Sequence, residues 1–280
     1  MNKKVSIFSI FILLILILIS ISACVQQSQP IQNTDTNSEK ELALVIEVID
    51  GDTLKLASGE KVRLIGINAP EKKTICSEQA AQFLREQTEN KTVELEKEQT
   101  DLDQYGRKLR NVFVEGKNVN ILLVRNGLAT VYLYENKLKY LEELKQAEYE
   151  AQKSNECIWK KSEEIYSLED CIQIKEFHFD AEGNDNENLN DEFIEFENKC
   201  NYEIFLNDWT IKDEGTNFFY FPKMSFEKKS VLTLFSGNGT DSNAKVYWNS
   251  KQAIWNNDGD RMFLRNEKGE LALFFEYRNS

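Results

Sequence analysis

Residues 49–71 read IDGDTLKLASGEKVRLIGINAPE, and this run decides the fold of the first half of the chain. Leu54 and Leu56 point one way and Lys55 the other, Ser58-Gly59-Glu60 supplies turn residues, and residues 62–67 return as a second apolar run. That pattern is a β-hairpin, and Pro70 ends its returning strand. The same run gathers the carboxylates Asp50, Asp52 and Glu71, the guanidinium of Arg63 and the amide of Asn68. A second cationic point follows in residues 103–107, DQYGR, which end on Arg107.

Outward from the hairpin, residues 42–49 are an apolar strand entering the Asp50-Gly51 turn. Ser77 is the expected N-cap of a helix that buries Ala80, Ala81, Phe83 and Leu84. Residues 91–96 and 109–114 supply two more alternating strands, and 120–126 a short apolar helix stopped by Gly127. Residues 138–153 form an amphipathic helix, with Leu141, Leu144, Ala147 and Ala151 on one side. Five strands with inserted and appended helices over residues 41–165 fit a small closed β-barrel of the oligonucleotide-binding type.

The motifs of this half, D-G-D-T, R-L-I-G-I-N-A-P-E and D-Q-Y-G-R in that order, resemble those of the thermonuclease, or staphylococcal nuclease-like, family. The resemblance spans about residues 42–159 and implies a calcium-dependent phosphodiesterase. A phosphodiester repels hydroxide, so its hydrolysis needs a cation, donors for the phosphate oxygens and a group that orients water. By this resemblance Asp52 is the metal carboxylate, and Asn68, where well-studied members carry an aspartate, is a neutral oxygen ligand. The backbone carbonyl of Ala69 completes the protein's share of the calcium shell. Arg63 and Arg107 clamp the phosphate, Glu71 positions or deprotonates the attacking water, and Tyr105, Tyr132 and Tyr134 line the nucleotide pocket. Asp103 reads as a salt-bridge or turn residue, and Lys108 and Arg110 as a solvated face.

Charge limits how such a protein meets a polyanion. The net charge is −13; residues 166–280 hold 12 basic and 22 acidic residues, whereas residues 40–165 hold 20 and 23. The acidity therefore sits in the last third, and whole-surface steering of nucleic acid is excluded. Phosphate must be met by local arginines and a bound cation. The single histidine, His178, excludes His-pair metal sites and argues against a Ser-His-Asp hydrolase.

Lys3 and Lys4 precede an apolar run over residues 5–21 that ends in Ile21-Ser22-Ala23-Cys24. This reads as an export signal, and its ending resembles a lipobox that would leave Cys24 as the lipidated N-terminus. An uncleaved membrane helix is the alternative; both place the protein on the outer face of the cell membrane. Residues 25–40, polar and without period, are a flexible tether. Export favours disulfides among the remaining Cys76, Cys157, Cys171 and Cys200. The preferred pairs are Cys76 with Cys157 and Cys171 with Cys200, one per module, with the other two connectivities open.

Residues 171–280 alternate in short strand-like runs with no long helix, which argues a β-sandwich. The segments FDAEGNDNENLNDEF, LNDWTIKDE, SGNGTD and WNNDGD resemble the lamin-tail domain, an immunoglobulin-like module fused to exported prokaryotic nucleases. The acid-rich loop 180–191 lacks the sixth-position glycine of an EF-hand and reads as a solvated, Asx-turned loop. The expectation is an exported, membrane-anchored, monomeric, calcium-dependent nuclease that cleaves DNA or RNA and leaves 3′-phosphates. The alternative is an inactive nucleic-acid-binding or adhesive lipoprotein, which would lack members of the Asp52, Arg63, Glu71, Arg107 quartet.

Overall fold

The computed structural model describes residues 40–133, 137–161 and 171–278. The hairpin forms where its pattern predicts. β1 (Glu41–Val48) pairs antiparallel with β2 (Thr53–Leu56), and β2 with β3 (Lys61–Leu64). After the two-residue β4 (Ile67–Asn68), β5 (Thr92–Leu102) pairs with β1, and β6 (Lys108–Val114) with β5. β6 also pairs in parallel with β3. That last ladder closes five strands into a barrel and leaves no open edge between β3 and β6. Two short strands, β7 (Lys117–Asn118) and β8 (Thr130–Val131), pair with β6 and β4.

Leu54, Leu56, Val62 and Leu64 of the hairpin meet Val45, Val93, Leu95 and Val112 inside the barrel. Each such side chain contributes about 1.5–3 kcal/mol on leaving water. Helices α1 (Ser77–Thr88), α2 (Val119–Arg125) and α3 (Leu141–Ser154) add Ala80, Leu84, Leu123 and Leu144 to the same core. The start of α1 differs from the sequence expectation. Ser77 is the first helical residue, its hydroxyl donating to the Thr74 carbonyl at 2.9 Å. The cap is Cys76, at φ 63° and bonded to Cys157 with a Cα–Cα distance of 6.0 Å. The covalent tie fixes a conformation for which residue preferences give no cue. Helix α3 begins at Leu141, three residues after the predicted start, because Leu138 packs instead beside Ile65 and Leu109.

The second module is a sandwich of two four-stranded sheets. One runs in the order β16 (Lys245–Tyr247), β15 (Val231–Phe235), β10 (Phe193–Asn198), β9 (Ile172–His178). The other runs β13 (Phe218–Tyr220), β12 (Thr210–Lys212), β17 (Gly259–Arg265), β18 (Leu271–Arg278). A ribbon of β11 (Ile204–Phe205) and β14 (Ser225–Phe226) sits beside them. Phe196, Trp209, Ile211, Phe226, Trp255 and Met262 fill the space between the sheets. Cys171 is bonded to Cys200, so both preferred disulfides form. Strands β11, β12 and β14 are two or three residues long and carry no run of alternating apolar residues of their own. The loop 180–191 is tied to the WNNDGD segment: Asn257 donates to Asp180 Oδ1 and Asp185 Oδ2 at 2.8 and 3.0 Å.

The described residues of both modules lie in one compact unit. Trp159, Ile158 and Ala151 of the first module share an apolar cluster with Phe263 and Leu271 of the second. Trp159 meets Phe263 and Phe274 at ring-centroid distances of 5.8 and 5.3 Å. Beside them Glu148 of α3 holds Arg261 of β17 through two contacts of 2.9 and 2.8 Å, both side chains buried. The export signal with Cys24, and the tether up to residue 39, lie outside the described residues, as does Tyr134.

Candidate active site

The turn between β1 and β2 is built around a glycine. A Cβ on Gly51 would stand 2.7 Å from Ala69 Cβ and 2.8 Å from Ala80 Cβ. Without one the turn closes onto β4 and α1, and Asp52 reaches the Ala69 N–H, which donates to its Oδ2 at 2.8 Å. Thr53 donates to Oδ1 at 3.1 Å, and the Asp52 N–H donates to Asp50 Oδ1 at 3.2 Å. Asp50 and Gly51 are thus turn residues, while Asp52 is the carboxylate they aim. Burial pushes the Asp52 carboxyl up to about 6, against the pull of Arg63.

Arg63 projects from β3 into the same place. Its Nη2 lies 3.0 Å from Asp52 Oδ2 and donates to Asn68 Oδ1 at 3.2 Å, while Nη1 donates to the Leu64 carbonyl at 2.8 Å. One positive nitrogen therefore stands between the two oxygens that the sequence assigns to a metal. Arg107 comes from the turn before β6. Its Nε meets Asp103 Oδ2 at 2.6 Å and its Nη1 donates to the Thr53 hydroxyl at 3.3 Å. Asp103 Oδ1 also accepts the N–H groups of Tyr105 and Arg107, each at 2.9 Å. Although burial opposes it, those donors hold the Asp103 carboxyl below the usual range. Asp103 is a turn and positioning residue, as its sequence context indicates. Lys108 pairs with Glu41 and Glu60, and Arg110 with Asp101, so both are committed elsewhere.

Asp52, Arg63, Asn68, Ala69, Glu71 and Arg107 line one hollow of about 410 Å³. Glu71 is exposed on its rim, and its carboxylate makes no hydrogen bond or ion pair with the described residues. Tyr105, 74% exposed, stands beside the Arg107 guanidinium at 5.5 Å, and half-buried Tyr132 lines the wall. Such a hollow offers a planar cation on either side of an anion, an accessible carboxylate and two converging oxygens. Those oxygens are hard donors of the kind calcium takes, but the Arg63 guanidinium spans both, so a cation there would take the place of its Nη2.

One wall comes from the second module. Gly215 and Thr216, in the turn between β12 and β13, line the hollow. Asn68 Nδ2 donates to the carbonyls of Glu214 and Gly215 at 3.2 and 3.1 Å. Asp260 holds that turn by accepting the Glu214 N–H at 3.0 Å, and Arg278 pairs with the Glu214 carboxylate at 3.2 Å. The contact crosses 146 residues of chain, and no local pattern announces it. The single cue is Asn68 itself: its amide carries donors that an aspartate would lack.

The chain matches two family models, the staphylococcal nuclease homologue over residues 61–161 and the Lamin Tail Domain over 167–279. It is 34% identical over 143 residues to a thermonuclease of Staphylococcus intermedius, covering 47% of this chain and 84% of that one. A thermonuclease of Staphylococcus hyicus is 30% identical over 169 residues, 56% of this chain and 98% of its own. The endonuclease YncB of Bacillus subtilis is 35% identical over 150 residues, 49% and 71% of the two chains. On the closed five-stranded barrel, the motif-bearing hollow and these similarities, the chain belongs to the staphylococcal nuclease homologue family, with a Lamin Tail Domain joined behind its nuclease module.

Proposed function

We propose that the protein is an exported, lipid-anchored, calcium-dependent nuclease that hydrolyses DNA or RNA and leaves 3′-phosphate products. The observation that carries this is the gathering of Asp52, Arg63, Glu71 and Arg107 on one hollow, with Arg63 Nη2 between Asp52 Oδ2 and Asn68 Oδ1. Asp52, Asn68 and the Ala69 carbonyl hold calcium, which when bound supplies the charge neutralisation that lets an anionic nucleophile approach phosphate. Arg107, anchored by Asp103, presents its fork to the equatorial oxygens of the phosphate, and Arg63 faces the same space. Glu71, open to solvent at the rim, orients water and takes its proton. Tyr105 and Tyr132 pack the adjoining nucleoside. Cys24 carries the lipid that keeps the enzyme on the outer membrane face.

Digestion of plasmid and RNA by the purified protein, with calcium and with chelator, tests the reading. Cleavage with calcium, its loss in chelator and its loss in Asp52→Ala and Arg107→Ala are the expected results. Oligonucleotide binding without cleavage under all conditions would instead establish the inactive, nucleic-acid-binding alternative. Fractionation of Cys24→Ala cells tests the anchor, with activity expected to leave the membrane fraction.

A further inference from the structure

A second cavity, of about 290 Å³, opens at the junction of the two modules. It shares Asn68, Ala69, Pro70 and Glu71 with the candidate active site, so the two spaces meet along the same four residues. Its far wall is the β13-β12-β17 face of the second module. Arg265 lines this wall, with its Nη1 donating to the Gly269 carbonyl at 3.2 Å. Among the described residues no carboxylate pairs with Arg265. Burial alone pulls its guanidinium down to about 10. Arg265 is only partly buried, so its guanidinium faces the cavity with the Phe263 ring centroid 5.8 Å away and no carboxylate among the described residues to neutralise it. Lys212, on the neighbouring strand, is also partly buried and donates to the Gly215 carbonyl and, at 3.3 Å, to the Asp213 carbonyl. Burial lowers its ammonium pKa, against the opposing pull of Asp213 and Glu71, while Arg265 adds to the lowering. At the cavity mouth Phe218 and Tyr220 stack at 6.2 Å with an interplanar angle of 22°, and Tyr220 is 65% exposed. Lys212 Nζ lies 5.7 Å from the Phe218 ring centroid.

Cations behind an exposed aromatic face are the arrangement by which proteins track unpaired nucleic-acid strands: the backbone follows the charge and bases stack on the rings. Resting on the nuclease reading, we propose that this junction cleft is a second subsite of the enzyme, taking the adjoining phosphate and base of a single strand whose cleaved phosphodiester lies between Arg63 and Arg107. Arg265 and Lys212 hold the phosphate, and Tyr220 stacks the base. The cavity has no room for a duplex, so the strand enters unpaired. The lamin-tail module thereby supplies part of the substrate groove despite its acidic total charge, because Arg265 and Lys212 lie on the wall that faces the barrel, although Asp208 and Glu267 also line the cavity.

Anisotropy of a labelled single-stranded oligonucleotide with the full chain in chelator reads the subsite without cleavage. Arg265→Gln and the exposed Tyr220→Ala should each weaken binding by about fivefold or more. Arg265→Gln should also reduce the slope of log affinity against log salt by about 0.7, one phosphate contact on a single strand. In calcium, both variants should raise KM for oligonucleotide, keep kcat and leave turnover of bis(4-nitrophenyl) phosphate, which has no second phosphate, unchanged. Binding within twofold of the parent in Tyr220→Ala, or an equal loss on the minimal diester, overturns the proposal. Should Arg265→Gln fail to fold, Tyr220→Ala decides alone. A parent that binds oligonucleotide but cleaves neither substrate refutes the nuclease reading and leaves the subsite to be judged by binding.

Discussion

Replacing Asn68 with aspartate sets the docking of the two modules against the capture of metal. The amide donates to two carbonyls of the lamin-tail turn and accepts from Arg63 in a site only 9% exposed. Aspartate keeps the acceptor, removes both donors and turns a carboxylate oxygen toward the Glu214 and Gly215 carbonyls. Stranding buried acceptors costs about 1–3 kcal/mol each, partly offset by the added charge beside Arg63, so a net loss of about 3 kcal/mol is expected in chelator. For a chain of this size that is a fall in Tm of roughly 6–12 °C. Calcium should offset part of that loss, because the cage gains a formal charge: the calcium midpoint for cleavage should fall about tenfold, or 1.4 kcal/mol. Thermal melts with and without chelator, alongside calcium titration of oligonucleotide cleavage, measure both effects. Should Asn68→Asp melt with the parent in chelator, the amide does not hold the turn; an unchanged calcium midpoint would show that residue 68 is not a ligand.

Further outcomes follow from other contacts. Asp103→Asn keeps an acceptor for the turn but loses the charge on Arg107 Nε, so kcat should fall about 10–100-fold with the melting curve unchanged; unchanged kcat would remove Asp103 from the positioning of Arg107. Glu148→Gln removes the charge that holds Arg261 in the junction but leaves it Glu276 at 3.4 Å and the Val131 carbonyl, and urea unfolding should show a loss of about 1–3 kcal/mol. A loss under 1 kcal/mol would mean that this pair does not tie the modules. Serine at both Cys76 and Cys157, 81 residues apart, should cost about 4–5 kcal/mol by loss of loop closure, read in the same urea assay. Burial pushes the Asp213 carboxyl up to about 6, so in the folded chain it takes up its proton at higher pH than in the unfolded one. Its contribution to stability therefore improves as pH falls from about 6 toward 4, and carboxyl NMR titration should place its midpoint near 6; a midpoint near 4 would contradict that burial.

Residues 49–71 and 103–107 were enough to read the hairpin, the quartet and its company, because strand alternation, turn residues and motif spacing are local properties of the chain. Leu54, Leu56, Val62 and Leu64 are buried as their period requires, and Asp50, Gly51 and Asp103 hold turns as their types suggest. The alternation of the last third likewise pointed to two packed sheets. Tertiary structure alone decided that Arg63 Nη2 bridges Asp52 and Asn68, that Cys76 instead of Ser77 heads α1, and that the lamin-tail module reaches the candidate active-site hollow. Those outcomes join residues far apart in the chain, as in the Glu148–Arg261 pair and the Asn68 contact with Glu214 and Gly215. A local pattern records which face of a strand is apolar; it carries no record of which distant surface will cover that face, and here the covering surface supplies one wall of the site.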